Sequence, residues 1–285
     1  MSIRKFVIPA IAAALTVLPV MAHADMTASP SKIISLSPSA TEDLFAIGAG
    51  AQVVAVDDLS NFPANAPVSK LSAYDPNVEA IAAYSPDLVI MNSTATKEAD
   101  VATQLQSLGI KVYTEVSPNS IVQAYSEISD IGSATGHATQ ASSIIAGMKS
   151  SIAKIVKSAR KRNPLSFFHE VDNTNYSATS QTFIGHVYSD FNLKNIADGA
   201  KQADSSGYPQ LQSEYIIKAN PRLIFLSDAQ YGESTKTVAK RPGWSNITAV
   251  KNKHVIALPA DIPSRWGPRL VDLYRFISAS IAKIS

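Results

Sequence analysis

Residues 138–162, ATQASSIIAGMKSSIAKIVKSARKR, constrain the fold more than any other stretch. Their apolar side chains fall at Ala141, Ile144, Ile145, Met148, Ile152, Ile155, Val156 and Ala159. Those spacings draw one continuous stripe along an α-helix, while serines and lysines occupy most of the other side. Gly136 punctuates the chain ahead of this run, and Asn163-Pro164 stops it, because proline disfavours helix in the residue before it. At ~1.5 Å per residue the helix is roughly 35 Å long, about the span of a small domain. It lies near the middle of the chain with α/β-patterned sequence on both sides. The expected organisation is therefore an α/β lobe over residues 25–137, a connecting helix over 138–162 and a second α/β lobe over 163–285.

Apolar runs at 32–36, 52–56, 87–91 and 110–114 read as strands, separated by helices at 40–47, 77–83, 97–108 and 120–133. Ser39 with Glu42 fits a capping box for the first helix. Beyond the connector, strands are expected at 165–171, 221–227 and 255–258, and helices at 182–191, 213–219 and 269–282. Such alternation argues for mostly parallel, doubly wound sheets. The halves also echo one another. Asn77–Met91 (NVEAIAAYSPDLVIM) aligns with Gln212–Leu226 (QSEYIIKANPRLIFL), pairing Glu79 with Glu214, Ile81 with Ile216, Pro86 with Pro221 and Leu88 with Leu223. Two similarly built lobes would each carry one glutamate at the same place.

Arg4 and Lys5, the apolar run 6–20 and Ala22-His23-Ala24 read as a cleavable signal peptide over residues 1–24, so the mature chain is expected to be exported. Its removal takes Lys+Arg from 25 to 23 against 23 Asp+Glu, leaving a near-neutral chain without the basic patch that nucleic acid needs. No later segment has the ~18 consecutive apolar residues of a membrane span. There is no cysteine, which excludes disulfides, thiolate metal sites, a cysteine nucleophile and a lipid-bearing cysteine.

Ligands of open α/β sheets bind beyond the carboxyl ends of the strands. The first half offers Ser37, Pro38, Ser39, Asp58, Leu59 and Asn92 there, and the second half Asp172, Asn173 and the loop to Arg265 and Trp266. Tyr74 and Tyr208 lie in flanking turns. A polar, hydroxyl-rich set with large rings from both halves suits a bulky, flat, partly apolar solute. Arg265 suits either a carboxylate or phosphate on that solute or a lobe-stabilising salt bridge. Catalytic signatures are missing: there is no G-x-S-x-G elbow or phosphate loop, and Ser151-x-x-Lys154 lies inside the connecting helix. Glu170 and Asp172 share a strand face but have no partner base. His137, His169, His186 and His254 show no metal-ligand spacing. No catalytic residue, resident cofactor or bare-metal site is expected, and an exported hydrolase is the weaker alternative.

The blocks IISLSPSATEDLFAIGAGAQVVAV, NVEAIAAYSPDLVI, EVDNTNYSA, RPGWSNITAVKN and SRWGPRLVD, in this order, resemble those of the periplasmic solute-binding proteins of cobalamin and ferric-siderophore ABC transporters. The resemblance spans nearly the whole mature chain. It implies two Rossmann-like lobes joined by one backbone helix, acting as a periplasmic monomer that delivers a metal chelate to a transmembrane permease. The cargo it implies is cobalamin first, and ferric siderophore or heme second. It also implies that Glu79 and Glu214 dock onto permease arginines. Leu59 and Asn92 stand where cobalamin binders of this class often place aromatics, a departure that leaves the other chelates open.

Overall fold

The computed structural model describes residues 29–93, 97–159, 163–200, 206–282 and 284. The expected signal peptide and the last three residues of the expected connector fall outside them. Chain order is β1 (Ile33–Leu36), α1 (Pro38–Ala46), β2 (Val53–Val56), α2 (Val78–Ala82), β3 (Leu88–Asn92), α3 (Glu98–Ser107), β4 (Lys111–Glu115), α4 (Ile121–Thr135) and α5 (Ala138–Ala159). The second half continues with β5 (Leu165–Glu170), α6 (Phe183–Asp190), β6 (Leu193–Asn195), α7 (Ser213–Ala219), β7 (Leu223–Leu226), α8 (Thr235–Lys240), α9 (Thr248–Lys251), β8 (Val255–Ala257) and α10 (Leu270–Ala282). All pairings between these strands are parallel, in two four-stranded sheets ordered β2-β1-β3-β4 and β6-β5-β7-β8. β3 and β7 hold equivalent places in the two sheets, and α2 and α7 precede them. The sequence echo is thus a topological one.

Side-chain oxygens start the helices where the sequence provides them. Asn77, Ser120 and Thr182 accept from the backbone N–H three residues on, at 2.9, 3.4 and 3.1 Å. The expected Ser39/Glu42 capping box is not formed. Ser37 caps α1 instead, accepting from Ala40 N at 3.4 Å, because Pro38 has no N–H to satisfy and suits the first helical position. The short elements β6, α8 and α9 were not expected; three to six residues carry too little periodicity.

Strand alternation divides the apolar residues between one shared core and two private ones. Ile33, Leu88 and Ile90 face inward, as do Leu165, Phe167, Leu223 and Phe225 of the second sheet, and all join a single cluster. Ile34, Leu36, Val89 and Met91 fill an outer core of the first lobe. Phe168, Ile224, Leu226 and Trp244 fill that of the second. The inner cluster is bridged by α5 and α10. Ala141, Met148 and Ile152 of α5 are buried in it, as are Leu273, Tyr274, Ile277 and Ile281 of α10. The apolar stripe of α5 is as expected, but the helix is no free-standing strut. It lies along α4 on one side and α10 on the other, with its polar face exposed.

Two helix glycines mark where this packing is tight. A Cβ on Gly132 of α4 would stand 2.5 Å from Ala141 Cβ of α5, whereas one on Gly147 of α5 meets nothing within 4 Å. Gly147→Ala is expected to stabilise by up to ~1 kcal/mol through helix propensity. Gly132→Ala is expected to destabilise, because an overpacking cost of ~1–3 kcal/mol outweighs the same propensity gain. Urea denaturation of both variants checks the signs, and a stabilising Gly132→Ala would contradict the close helix approach.

Candidate functional site

The loops beyond the strand carboxyl ends of the two sheets meet around Ser117, Ser264 and Trp266, which line two adjoining cavities of about 780 and 260 Å³. The smaller lies on the first lobe and is walled by Ser37, Pro38, Ser39, Leu59, Tyr74, Asn92 and Arg265. The larger opens onto the second lobe, with Tyr208, Tyr231, Phe183, Gln181, Gln230 and His169 among its walls. Rings therefore border the groove from both sides.

Nine of the twelve sequence-predicted ligand residues line these cavities. Asp58, Asp172 and Asn173 do not. Asp58 is exposed at the turn after β2. Asp172 Oδ1 accepts from Thr174 N and Oγ1 at 2.8 and 2.6 Å and so closes its own turn. Asn173 bonds to Glu233. Glu170, expected to share a strand face with Asp172, is committed elsewhere. Glu170 is buried and receives Nη1 and Nη2 of Arg241 at 2.5 and 2.7 Å, and that guanidinium also reaches Glu233 at 2.7 Å and lies 4.7 Å over the Trp244 ring. Its role is structural.

Ser117, Pro118, Asn119 and Gln230, with the strongly exposed Tyr231, were missed, yet they follow β4 and β7 and obey the rule that located the others. His169, at the end of β5, also reaches the larger cavity. Burial lowers its pKa to about 4, and Nδ1 lies 3.0 Å from the Tyr188 hydroxyl, so the ring is neutral at physiological pH. Burial likewise raises the pKa of the Tyr208 phenol, which stays a neutral donor. Among the described residues lining the two cavities, Arg265 is the only charged side chain. Its Nη1 donates only to Ser264, at 3.1 and 3.2 Å, and its buried Nε has no partner. The structure thus separates the two roles open to Arg265: the bridge between lobes belongs to Arg269.

That bridge comes three residues after the cavity-lining Trp266. Arg269 donates to the buried Glu42 of α1, and its guanidinium carbon stands 4.3 Å over the Phe62 ring. Trp266 donates its indole N–H to Glu127 of α4 at 3.0 Å and its backbone N–H to Ser39 Oγ at 3.4 Å. Asn61 reaches Asp261 at 2.8 Å. The Ser264–Arg269 block therefore serves two purposes: Arg265 faces the cavity, while Trp266 and Arg269 hold the first lobe. Removing one partner of a buried ion pair strands the other charge, at a cost of ~3–5 kcal/mol. Arg269→Ala is expected to lose ~3 kcal/mol in urea denaturation. A loss below ~1 kcal/mol would mean that the pair does not hold the lobes.

Comparison with known proteins agrees with this architecture. The profile of the family described as periplasmic binding protein matches residues 33–262. The ABC transporter substrate-binding lipoprotein YvrC of Bacillus subtilis is 35% identical over 259 residues, covering 88% of this chain and 80% of that protein. A cobalamin-binding protein of Halobacterium salinarum is 28% identical over 257 residues, covering 87% and 68%. Among solved structures, a possible iron-binding (periplasmic solute-binding) protein from Staphylococcus epidermidis superposes with a TM-score of 0.80 at 28% identity, covering 90% of this chain and all of the other.

Proposed function

The chain belongs to the periplasmic binding protein family, and from that premise we propose that it captures a cobalamin-like corrinoid between its lobes and delivers it to the transmembrane permease of an ABC importer. The observation that carries this reading is the groove itself: rings on both sides, neutral polar groups between them, and one unpaired guanidinium. Tyr74 and Trp266 from one side, with Tyr208 and Tyr231 from the other, suit stacking against a broad flat macrocycle. Ser37, Ser39, Asn92 and Ser117 suit the amide side chains around its rim. A corrinoid with its nucleotide loop presents a single phosphodiester, which matches the lone charge of Arg265. The name of the Halobacterium relative supports the same cargo. No step of chemistry is involved; the protein binds and releases.

A ferric siderophore or heme is the second reading. The phenol oxygens of Tyr74, Tyr208 and Tyr231 are hard donors suited to ferric iron, and the Staphylococcus structure is described as possibly iron-binding. A multiply anionic chelate would, however, meet one cation among the described wall residues. A thermal-shift panel of cyanocobalamin, cobinamide, a ferric hydroxamate, a ferric catecholate and hemin decides between them. A cargo at ~100 times its Kd adds about 2.7 kcal/mol of stability. Cyanocobalamin is expected to give the largest shift. Arg265→Ala is expected to weaken it ~10–100-fold while leaving cobinamide, which lacks the phosphate, nearly unchanged. A shift with hemin or a ferric siderophore alone would overturn the corrinoid reading.

For delivery, Glu79 and Glu214 are the docking residues of this proposal. Each is exposed in the first turn of a short helix, α2 or α7, leading into the equivalent strands β3 and β7. Helices of such sheets start at the edge where the strands end, so both carboxylates flank the mouth of the groove. A lone exposed ion pair contributes only ~0–1 kcal/mol, but two at a fixed separation set register and steer encounter. The double variant Glu79→Ala/Glu214→Ala is expected to keep its cargo affinity and lose uptake in a transport assay. Loss of affinity instead would count against docking.

A further inference from the structure

Behind the groove, the contact between lobes encloses four buried carboxyl groups: Glu42 and Asp43 of α1, Glu115 of β4 and Glu127 of α4. Few donors reach them. Arg269 serves Glu42, Asn92 Nδ2 serves Glu115 Oε1 at 2.9 Å, and the Trp266 indole serves Glu127 Oε1. Oε2 of Glu42, Glu115 and Glu127 and both oxygens of Asp43 have no donor. The carboxyls of Glu115 and Glu127 lie within hydrogen-bond reach of one another. Tyr113 and Asp130 stand close by, and Arg269 is the cation of the group. Among the described residues these side chains do not form a set able to hold a metal ion.

We propose that Glu115 and Glu127 share a proton, and that this shared proton makes the contact between the lobes pH-sensitive, because without it the two carboxylates repel one another beside Trp266. The physical argument is one of charge. Two carboxylates at hydrogen-bond distance in a buried site cannot both ionise, and a proton between them supplies the donor that neither Oε2 otherwise has. Arg269 is committed to Glu42, so it does not neutralise the pair. Asp43, fully buried with both oxygens bare, is itself held well above the usual carboxylate range, by burial first and then by Glu115 and Glu42, so the whole cluster favours protonated carboxyls. Burial first, and the neighbouring Glu115 second, hold the Glu127 carboxyl far above the usual carboxylate range. The consequence for stability has a definite sign. A carboxyl raised in the folded state contributes stability that is fully present below its unfolded value near 4.5 and is lost as pH rises toward the folded value. Acid holds the lobes together and alkali loosens them. The loosening comes from repulsion between the two carboxylates and not from loss of the Trp266 bond, which an ionised acceptor strengthens; it reaches the groove because Trp266 lines both cavities.

Glu127→Gln tests this directly, since an amide keeps an acceptor for Trp266 and gives Glu115 a permanent donor. The difference in Tm between Glu127→Gln and wild type is expected to be near zero at pH 4.5 and to open to ~5 °C in favour of the variant at pH 8.5. Glu115→Gln, the mirror-image variant, is expected to behave alike and covers a folding failure of the first. Infrared difference spectra of either variant against wild type at pH 7 are expected to show the loss of one protonated-carboxyl stretch. A constant gap across pH, or no such loss, would overturn the proposal. So would a calcium-dependent rise in wild-type Tm that Glu127→Gln abolishes, which would put a cation where the proton is placed.

Discussion

The inner faces of both sheets bury against the same pair of helices, and everything else in the molecule is arranged around that sharing. Ile33 and Leu88 from one sheet and Phe167 and Leu223 from the other belong to one apolar cluster, with α5 and α10 running through it. Parting the lobes would expose part of this cluster to water at roughly 25 cal/mol per Å². A wide separation of the lobes is therefore opposed by the core they share. The groove between them is consequently largely pre-formed, and the cargo has to fit a space whose width the core has already set.

Charge is distributed with the same logic. The described walls of the groove carry one formal charge, Arg265, while the acidic groups Glu42, Asp43, Glu115 and Glu127 are packed behind it. Trp266 stands between these environments, one side toward the cavities and its indole N–H toward Glu127. Buried acids so close to a binding surface would repel an anionic cargo if all were ionised. Pairing Glu42 with Arg269, and sharing a proton between two others, removes much of that field. The six residues Ser264–Arg269 thus hold the lobes together, line the groove and supply its only cation among the described residues.

Much of this was legible in the sequence because it depends on local periodicity. The α5 stripe, the alternating strands and the Glu79/Glu214 echo are repeating patterns, and burial follows from them. The rule of strand carboxyl ends found most of the wall but also returned Asp58, Asp172 and Asn173, and Ser117 and Tyr231 were missed because the loops after β4 and β7 were passed over. What could not be read was long-range pairing. Glu42 looks like a capping-box acid until Arg269, more than two hundred residues away, is placed beside it. Asp172 looks like a ligand group until its carboxylate is seen closing a turn. Nor does any local pattern say that Glu115 and Glu127, from a strand and the next helix, end up side by side without a cation. Short-range sequence describes faces, and only the assembled fold shows which faces meet.

The claim at the centre of this account is that one cargo is held by both lobes at once, with Arg265 on its anionic group. A crystal structure of the protein grown with cyanocobalamin tests it most directly. The expected result is a corrin ring lying between Tyr74 and Tyr208, its phosphodiester within hydrogen-bond distance of the Arg265 guanidinium, and the Trp266–Glu127 contact intact. Cargo bound to one lobe alone, or an empty groove with Arg265 turned to a protein carboxylate, would contradict it.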